Sequence, residues 1–353
     1  MAVDQDRLHQ FILKAVGDIG AAMSAALVSI GDRLGLYKAL ASGGSMTSAE
    51  LAAKTGTAER YIREWLLNQA AGGYIDYNPG TRRYSMNPEQ ALALADDQSP
   101  CFLAGAFDVI QSVQRDEPTI RERFKSGAGV PWGEHDSCLF CGTERFFAPS
   151  YRASLVDSWI PALDGAAAKL RDGASVADVG CGHGASTVIM ARAFPRSKFV
   201  GYDAHAPSID CARKRAAEAG VAGNCSFELA DATSFPKTTG GFDLVACFDC
   251  LHDMGDPVGC ARRVRETLKP GGSWMVVEPN AADTVEGNLN PIGRTFSAAS
   301  TMICVPASLA FGGPALGACA GQNRLAEVMA KGGFSRIKRA AETPFNMVLE
   351  ARA

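Results

Sequence analysis

Apolar positions in the first forty residues recur at helical spacing. Phe11, Ile12, Val16, Ile19, Met23, Leu27 and Ile30 fall on one face of a pattern running from about Leu8 to Ala41, which predicts one long helix. Gly20, Ala21, Ala22 and Ala26 lie between them and permit close contact with another helix, either of this chain or of a second copy. Thr47, with Glu50 three residues on, has the spacing of a capping box, and Gly56 ends that short helix. A further helix is predicted from about Ala58 through Tyr61, Ile62, Trp65 and Leu66 to Gly72, then a hairpin of residues 74–77 and 82–86 around Asn78-Pro79-Gly80. Residues 99–163 read as mostly helical. Beyond them the period changes to short apolar runs at 176–179, 199–203, 227–231, 242–248 and 273–278, separated by helical stretches. Strand alternating with helix predicts an α/β fold with a parallel, doubly wound sheet.

The first of these runs ends in Gly180, Cys181, Gly182, His183 and Gly184. Glycines at alternate positions let the turn take positive φ, and the helix after it presents free N–H groups to a nucleotide-like ligand. The spacing is neither the dinucleotide G-x-G-x-x-G nor a lysine-bearing phosphate loop. Asp203 ends the second strand, where a carboxylate can accept from ribose hydroxyls, and Asp231 ends the third, where it can hold an adenine amino group. Plain tight turns and helix capping are the alternative readings of these glycines and carboxylates. Asp178, inside the first strand, reads as a brace for the glycine loop.

Taken in order, these elements resemble a class I S-adenosylmethionine-dependent methyltransferase over roughly residues 165–353. The resemblance implies S-adenosylmethionine as cofactor, held by Gly180, Cys181, Gly182, Gly184, Asp203, Ala204, Asp231, Ala232 and Asp249. It also implies a Rossmann-like seven-stranded sheet of order 3-2-1-4-5-7-6, with residues 334–340 and 346–352 as its last two strands.

Helix, turn, helix and hairpin in the amino-terminal part are similar to a winged helix. In a regulator the second helix would enter the major groove, so a cofactor-sensing DNA-binding protein is a rival reading. Charge argues against it: between Thr47 and Asn87, Lys54, Arg60, Arg63, Arg82 and Arg83 face Glu50, Glu59, Glu64 and Asp76, a balance with little affinity for phosphates. The same module precedes the catalytic domain in caffeate-type and hydroxyneurosporene-type O-methyltransferases, where it forms a dimer and closes the substrate pocket. Further stretches at 249–257, 286–291, 303–308 and 342–346, with Glu64-Trp65, 131–133 and 159–163, resemble bacterial winged-helix methyltransferases often described as transcriptional regulators. The implied organisation is a winged-helix and dimerisation domain over 1–95, a helical connector and pocket cover over 96–164, and the methyltransferase domain over 165–353.

Methyl transfer to a hydroxyl or thiol requires alignment, exclusion of water and removal of a proton. His252 follows the fourth strand and Glu278 ends the fifth, and both can reach a cleft at the strand ends. Caffeate-type enzymes carry a His-Asp pair and an acidic partner in these places, which implies His252 as general base and Glu278 as its orienting partner; an orienting or packing role for His252 is the alternative, since methyltransferases that need no base also carry a histidine there. A second acidic residue of that family is replaced here by the amides of residues 320–324. Asp253 can alternatively cap the next helix. His183 and His205 are expected near the cofactor, although exposed or locally hydrogen-bonded rings are the alternative reading for both and for His135. His135, in a loop, is expected to cover the acceptor, with Asn288, Asn290 and Met302 lining its pocket. Phe140, Phe146, Phe147, Tyr151 and Trp159 supply aromatic surface that either shapes a pocket for a flat acceptor or forms a core between domains. The expected acceptor is a largely apolar small molecule with one hydroxyl. Thiol S-methylation is the alternative, since a thiolate needs less help from a base.

Composition adds limits. The formal net charge of −3 over 353 residues gives no general attraction to nucleic acid or anionic lipid. Residues 1–7 lack the pattern of a signal peptide, so a cytoplasmic protein is expected. The apolar stretch 297–321 contains Pro306 and Pro314 and reads as pocket lining rather than a membrane span. The 11 cysteines are dispersed, which suits reduced, buried thiols. Cys138/Cys141 and Cys247/Cys250 have the inner spacing of a zinc site. No metal is expected, because Cys247 lies inside a strand and Cys250 beyond its end, where the two side chains should diverge. A weak redox role is the alternative for Cys138 and Cys141.

Overall fold

The computed structural model describes residues 3–352. The chain divides into two units, one of Met1–Ser112 with Cys141–Pro149, the other of Val113–Phe140 with Ser150–Ala353.

In the first unit, α1 (Gln5–Arg33) begins where the Asp4 carboxylate accepts from the N–H groups of Asp6 and Arg7. The predicted single helix is in fact two. Gly35 adopts φ 68°, which breaks the helix before α2 (Leu36–Gly43). The expected capping box is present: Thr47 and Glu50 reciprocate at the start of α3 (Ser48–Thr55), and Gly56 closes it in the left-handed region. α4 (Glu59–Ala71) follows, then β1 (Asp76–Asn78) paired antiparallel with β2 (Arg83–Ser85), and α5 (Pro88–Leu94), capped by Asn87 and Gln90. Val28, Leu36, Tyr37, Leu40, Leu51, Ile62, Trp65, Leu66 and Ile75 form the core. Tyr37 meets Trp65 edge-on at 5.1 Å, and the Trp65 indole N–H donates to the Leu27 carbonyl at 2.9 Å. Arg145 joins Asp32 and Asp108 at 2.6 Å each. Phe11, Ile12, Val16, Ile19, Met23 and Ile30 of α1 remain exposed. By length and composition alone, α1 is apolar enough to cross a membrane.

α6 (Ala106–Ser126) and α7 (Cys138–Ser154) supply the expected helical stretch, each containing a proline, Pro118 and Pro149. α8 (Ile160–Ala162) and α9 (Ala166–Asp172) lead into the sheet of the second unit. Its strands are β3 (Ser175–Val179), β4 (Lys198–Asp203), β5 (Cys225–Leu229), β6 (Phe242–Phe248), β7 (Leu268–Pro279), β8 (Arg336–Glu342) and β9 (Asn346–Arg352). Their order is β5-β4-β3-β6-β7-β9-β8, which is the expected 3-2-1-4-5-7-6. All neighbours are parallel except β9, which runs antiparallel to β7 and β8. β7 starts earlier than its apolar run: Leu268 pairs with Phe242, Ser273 with Leu244, and residues 269–272 bulge between them.

α10 (Ala185–Ala193), α11 (Ala206–Glu218), α12 (Pro257–Thr267), α13 (Pro291–Ala299), α14 (Val305–Ala310) and α15 (Gly321–Lys331) complete this unit. The central strands are buried on both faces, with Val176, Ala177, Val245, Trp274, Val276 and Leu349 at 0% exposure, which explains their unbroken apolar runs. The strand order reverses at β3, whose neighbours β4 and β6 carry the chain away in opposite directions. A doubly wound sheet opens its ligand crevice at that point, beyond the carboxyl ends of the strands.

Candidate active site

The glycine loop lies at this switch point. Gly180, Gly182 and Gly184 have φ of 74°, 52° and 76°. A Cβ on Gly184 would stand 2.6 Å from the Phe227 ring, whereas one on Gly182 would meet nothing within 4 Å. Packing therefore requires the first glycine, and open space surrounds the second. The Gly182 N–H donates to Asp203 Oδ2 at 2.8 Å, and the His205 N–H to Oδ1 at 2.8 Å. Asp203 thus ties the glycine loop to the end of β4. Burial raises its pKa, against the two N–H donors.

Asp178 braces a different element from the one expected. Ser186 and Thr187 in the first turn of α10 both donate to its Oδ2 at 2.7 Å, and its buried Oδ1 has no hydrogen-bond partner among the described residues. Burial pushes this carboxyl up to about 6, although the two hydroxyls hold it down. Cys181 is buried and Ala204 exposed. Asp231 is exposed and accepts from the Thr233 N–H at 2.8 Å and hydroxyl at 2.6 Å, while Ala232 packs against the core. Asp249 takes φ 50° just beyond β6. Its carboxylate accepts from the Tyr151 hydroxyl at 2.6 Å and the Asn346 amide at 2.9 Å, and burial with the nearby Glu278 charge pushes it up to about 8.

His252 sits on a 3-10 turn after β6, buried, with Nδ1 bonded to Glu278 Oε2. Glu278 is fully buried at the end of β7, and its Oε1 accepts the Leu251 N–H at 2.8 Å. The two residues expected to act together are therefore in contact. Nε2 of His252 meets Cys304 Sγ at 3.3 Å. Burial works to lower the histidine's pKa, but the Glu278 carboxylate and Cys304 raise it well above 6.5. Asp253 does not cap α12; Asp256 does, accepting the Gly259 N–H at 2.7 Å. Burial, relieved in part by His252, instead pushes Asp253 up to about 7.

Cys304 ends a π-helical turn, Ser300–Cys304, that precedes α14. The sequence marked it as part of an apolar stretch and of the family-like segment 303–308, but Ile303-Cys304-Val305 carries no spacing that points to His252. Met302 is half-buried on the same turn. Asn288 and Asn290 serve the loop that holds them. Asn288 exchanges hydrogen bonds with the Ala282 backbone at 2.8 and 2.9 Å, and Asn290 caps α13 through the Gly293 N–H at 2.9 Å. His135 Nδ1 meets Asp116 Oδ2 at 2.7 Å, and its buried Nε2 has no hydrogen-bond partner among the described residues. The His135 loop is anchored at one end by the Val130 N–H on the Pro306 carbonyl at 2.9 Å. At the other, Trp132 lies 5.6 Å from Phe140, which lies 5.0 Å from His205. It thus runs from α14 to the end of β4.

Tyr151 packs on Phe248 at 5.2 Å, and both Tyr151 and Trp159 are buried, in keeping with the core alternative for these aromatics. Phe146 and Phe147 belong to the first unit. Cys247 and Cys250, expected to diverge, share a sulfur hydrogen bond; both are raised well above the ordinary thiol range, Cys247, against the lowering effect of Cys250, by Cys260 and burial, and Cys250 by Cys247 and burial. Cys247 also accepts from the Trp274 indole at 3.4 Å.

Residues 170–333 match the model of a methyltransferase domain, and residues 22–96 that of an Rv2258c-like winged HTH domain. The chain carries a methyltransferase domain behind a winged helix. Cycloartenol-C-24-methyltransferase 1 of Oryza sativa subsp. japonica is 32% identical over 119 residues, 34% of this chain and 34% of the relative. The chain spans about a third of the length of the curated relatives it matches. A solved O-methyltransferase family protein from Burkholderia thailandensis superposes with TM-score 0.70 at 17% identity, covering 97% of this chain and 98% of that one. An O-methyltransferase from neocarzinostatin biosynthesis, solved with S-adenosylmethionine and 2-hydroxy-5-methyl naphthoic acid, superposes with TM-score 0.63 at 17% identity, covering 97% and 98%. The likeness to both structures extends over the winged helix as well as the methyltransferase domain, so the whole chain has their fold.

Proposed function

We propose that the chain is an S-adenosylmethionine-dependent methyltransferase acting on a hydroxyl of a small, largely apolar acceptor, with His252 as general base. The observation that carries this reading is the pairing of two constellations at one sheet edge. A glycine loop tied to Asp203 lies on one side of the switch point, and a buried His252–Glu278 pair on the other. Space around Gly182 and the unpartnered Oδ1 of Asp178 suit the cofactor, since a bound cation and its hydroxyls require acceptors there. Bound at this loop, S-adenosylmethionine supplies an activated methyl group. Glu278 fixes the His252 ring through Nδ1, and Nε2, which lies against Cys304 Sγ, is the nitrogen that takes the acceptor's proton once the acceptor displaces that contact. The His135 loop excludes water. The structure of the neocarzinostatin-pathway enzyme, with its hydroxylated aromatic acid, supports a hydroxyl as acceptor.

The winged helix favours a second reading, a cofactor-sensing DNA-binding regulator. Charge balance on α4 opposes it: Arg60 lies beside Glu64 and Arg63 beside Glu59, so the acidic partners offset the positive charge that the helix would bring to phosphates. The exposed apolar face of α1 supports a homodimer, and we place the protein in the cytoplasm.

Calorimetric titration with S-adenosylmethionine and S-adenosylhomocysteine, repeated for Asp203→Ala, tests the reading. Micromolar binding to the wild type and its loss in the variant are expected. No binding to either compound would overturn the proposal; specific operator binding that changes with cofactor would favour the regulator.

A further inference from the structure

Glu278, His252 and Cys304 form a line of contacts inside the second unit: carboxylate on Nδ1, imidazole between, thiol on Nε2 at 3.3 Å. A nucleophile within reach of a base, with the base oriented by a third group, is the arrangement that activates a thiol. Methyl transfer to an external hydroxyl makes no use of the sulfur, which stands at the nitrogen the acceptor needs. Cys304 is 7% exposed and His252 4%. Any route that brings an acceptor to Nε2 therefore brings it to Sγ as well.

We infer that Cys304 is an activated nucleophile and a covalent modification site for α,β-unsaturated carbonyl compounds that enter the acceptor pocket. The step balances without another reactant. With the ring in its neutral form, the thiol proton passes to His252 Nε2 as sulfur bonds to the β-carbon. The π pair of the C=C bond moves onto the carbonyl as an enolate, and its α-carbon takes the proton back from Nε2. Sulfur and hydrogen have then added across the double bond, and the adduct occupies the base. The inference shares His252 with the proposed methyl transfer but needs neither cofactor nor methyl acceptor.

The test is a time course of N-ethylmaleimide labelling of the full chain, read by peptide mass at each cysteine, with no cofactor present. Cys101, exposed in the first unit, serves as reference thiol. Cys304 is expected to react at least about tenfold faster than Cys101 despite its burial, and to lose that lead in His252→Gln while Cys101 is unchanged. Glu278→Gln, which leaves the imidazole in place, is expected to give an intermediate rate and decides the matter if His252→Gln does not fold. Labelling of Cys101 ahead of Cys304 in the wild type, or an unaltered ratio in the variants, would overturn the inference. A chain that binds S-adenosylmethionine yet shows either result leaves methyl transfer standing and removes only the activated thiol.

Discussion

Glu278 holds His252 through one carboxylate oxygen and the Leu251 N–H through the other, so a single buried side chain fixes both the imidazole ring and the turn that carries it. The negative charge also keeps the ring protonated above the usual histidine range. A base must be neutral to take a proton, so methyl transfer to a hydroxyl rises with pH through and above neutrality.

Removing that charge moves the profile in a known direction. In Glu278→Gln the histidine titrates lower, and the acid limb of kcat against pH shifts to lower pH. Turnover at the plateau falls, because the ring loses its orientation; general-base contributions are on the order of 10²–10⁴-fold. His252→Ala loses the limb altogether. An acid limb that stays where it is in Glu278→Gln assigns the titration to another group.

Most of this site was legible in the sequence. The glycine spacing, Asp203, His252 and Glu278 each follow a strand whose apolar run marks it, and a doubly wound sheet brings strand ends to one edge. Cys304 was not legible, because it enters from a π-helical turn 52 residues beyond His252, and neither periodicity nor motif reports such a contact. The break at Gly35 was missed for a related reason. The apolar pattern continues through it, and only the backbone φ shows that the helix ends. Asn288 and Asn290 show the limit of such reading, because polar residues in a loop suit a ligand and a turn equally well and both here bond to their own loop.

Gly182 and Gly184 separate ligand binding from folding. In Gly184→Ala the new methyl strikes the Phe227 ring at a left-handed φ, so the melting temperature falls and cofactor binding falls with it. In Gly182→Ala the methyl enters open space, and the strain of positive φ costs about 1–2 kcal/mol. Cofactor affinity is expected to drop by more than the melting temperature indicates, since the methyl occupies room the ligand needs. Calorimetric affinity and melting measured on both variants check this; equal affinity for Gly182→Ala and wild type places the ligand elsewhere.

The exposed face of α1 leaves Phe11, Val16, Ile19 and Met23 in solvent at 68%, 59%, 59% and 73%. A contiguous apolar strip of this kind is unusual on a monomer. Sedimentation is expected to give a dimer for the wild type and a monomer for Val16→Asp combined with Met23→Asp. A monomeric wild type at micromolar concentration removes the dimer.

Asp249 links the site to stability. Its carboxyl is pushed up to about 8 by burial and by Glu278, whereas an unfolded aspartate titrates near about 3.9. Between these values the folded chain keeps a proton that the unfolded chain has released, so this group's contribution falls as pH rises from about 4 to about 8, then levels off. Asn at this position stays neutral throughout. At pH 5 it mimics the protonated carboxyl, with one carbonyl acceptor and an NH2 in place of the OH towards Tyr151 and Asn346. Asp249→Asn is therefore close to wild type in stability at pH 5 and becomes the more stable of the two as pH rises to about 8. Melting curves of both proteins across that range decide it, and parallel profiles would show that Asp249 is already ionised in the folded chain.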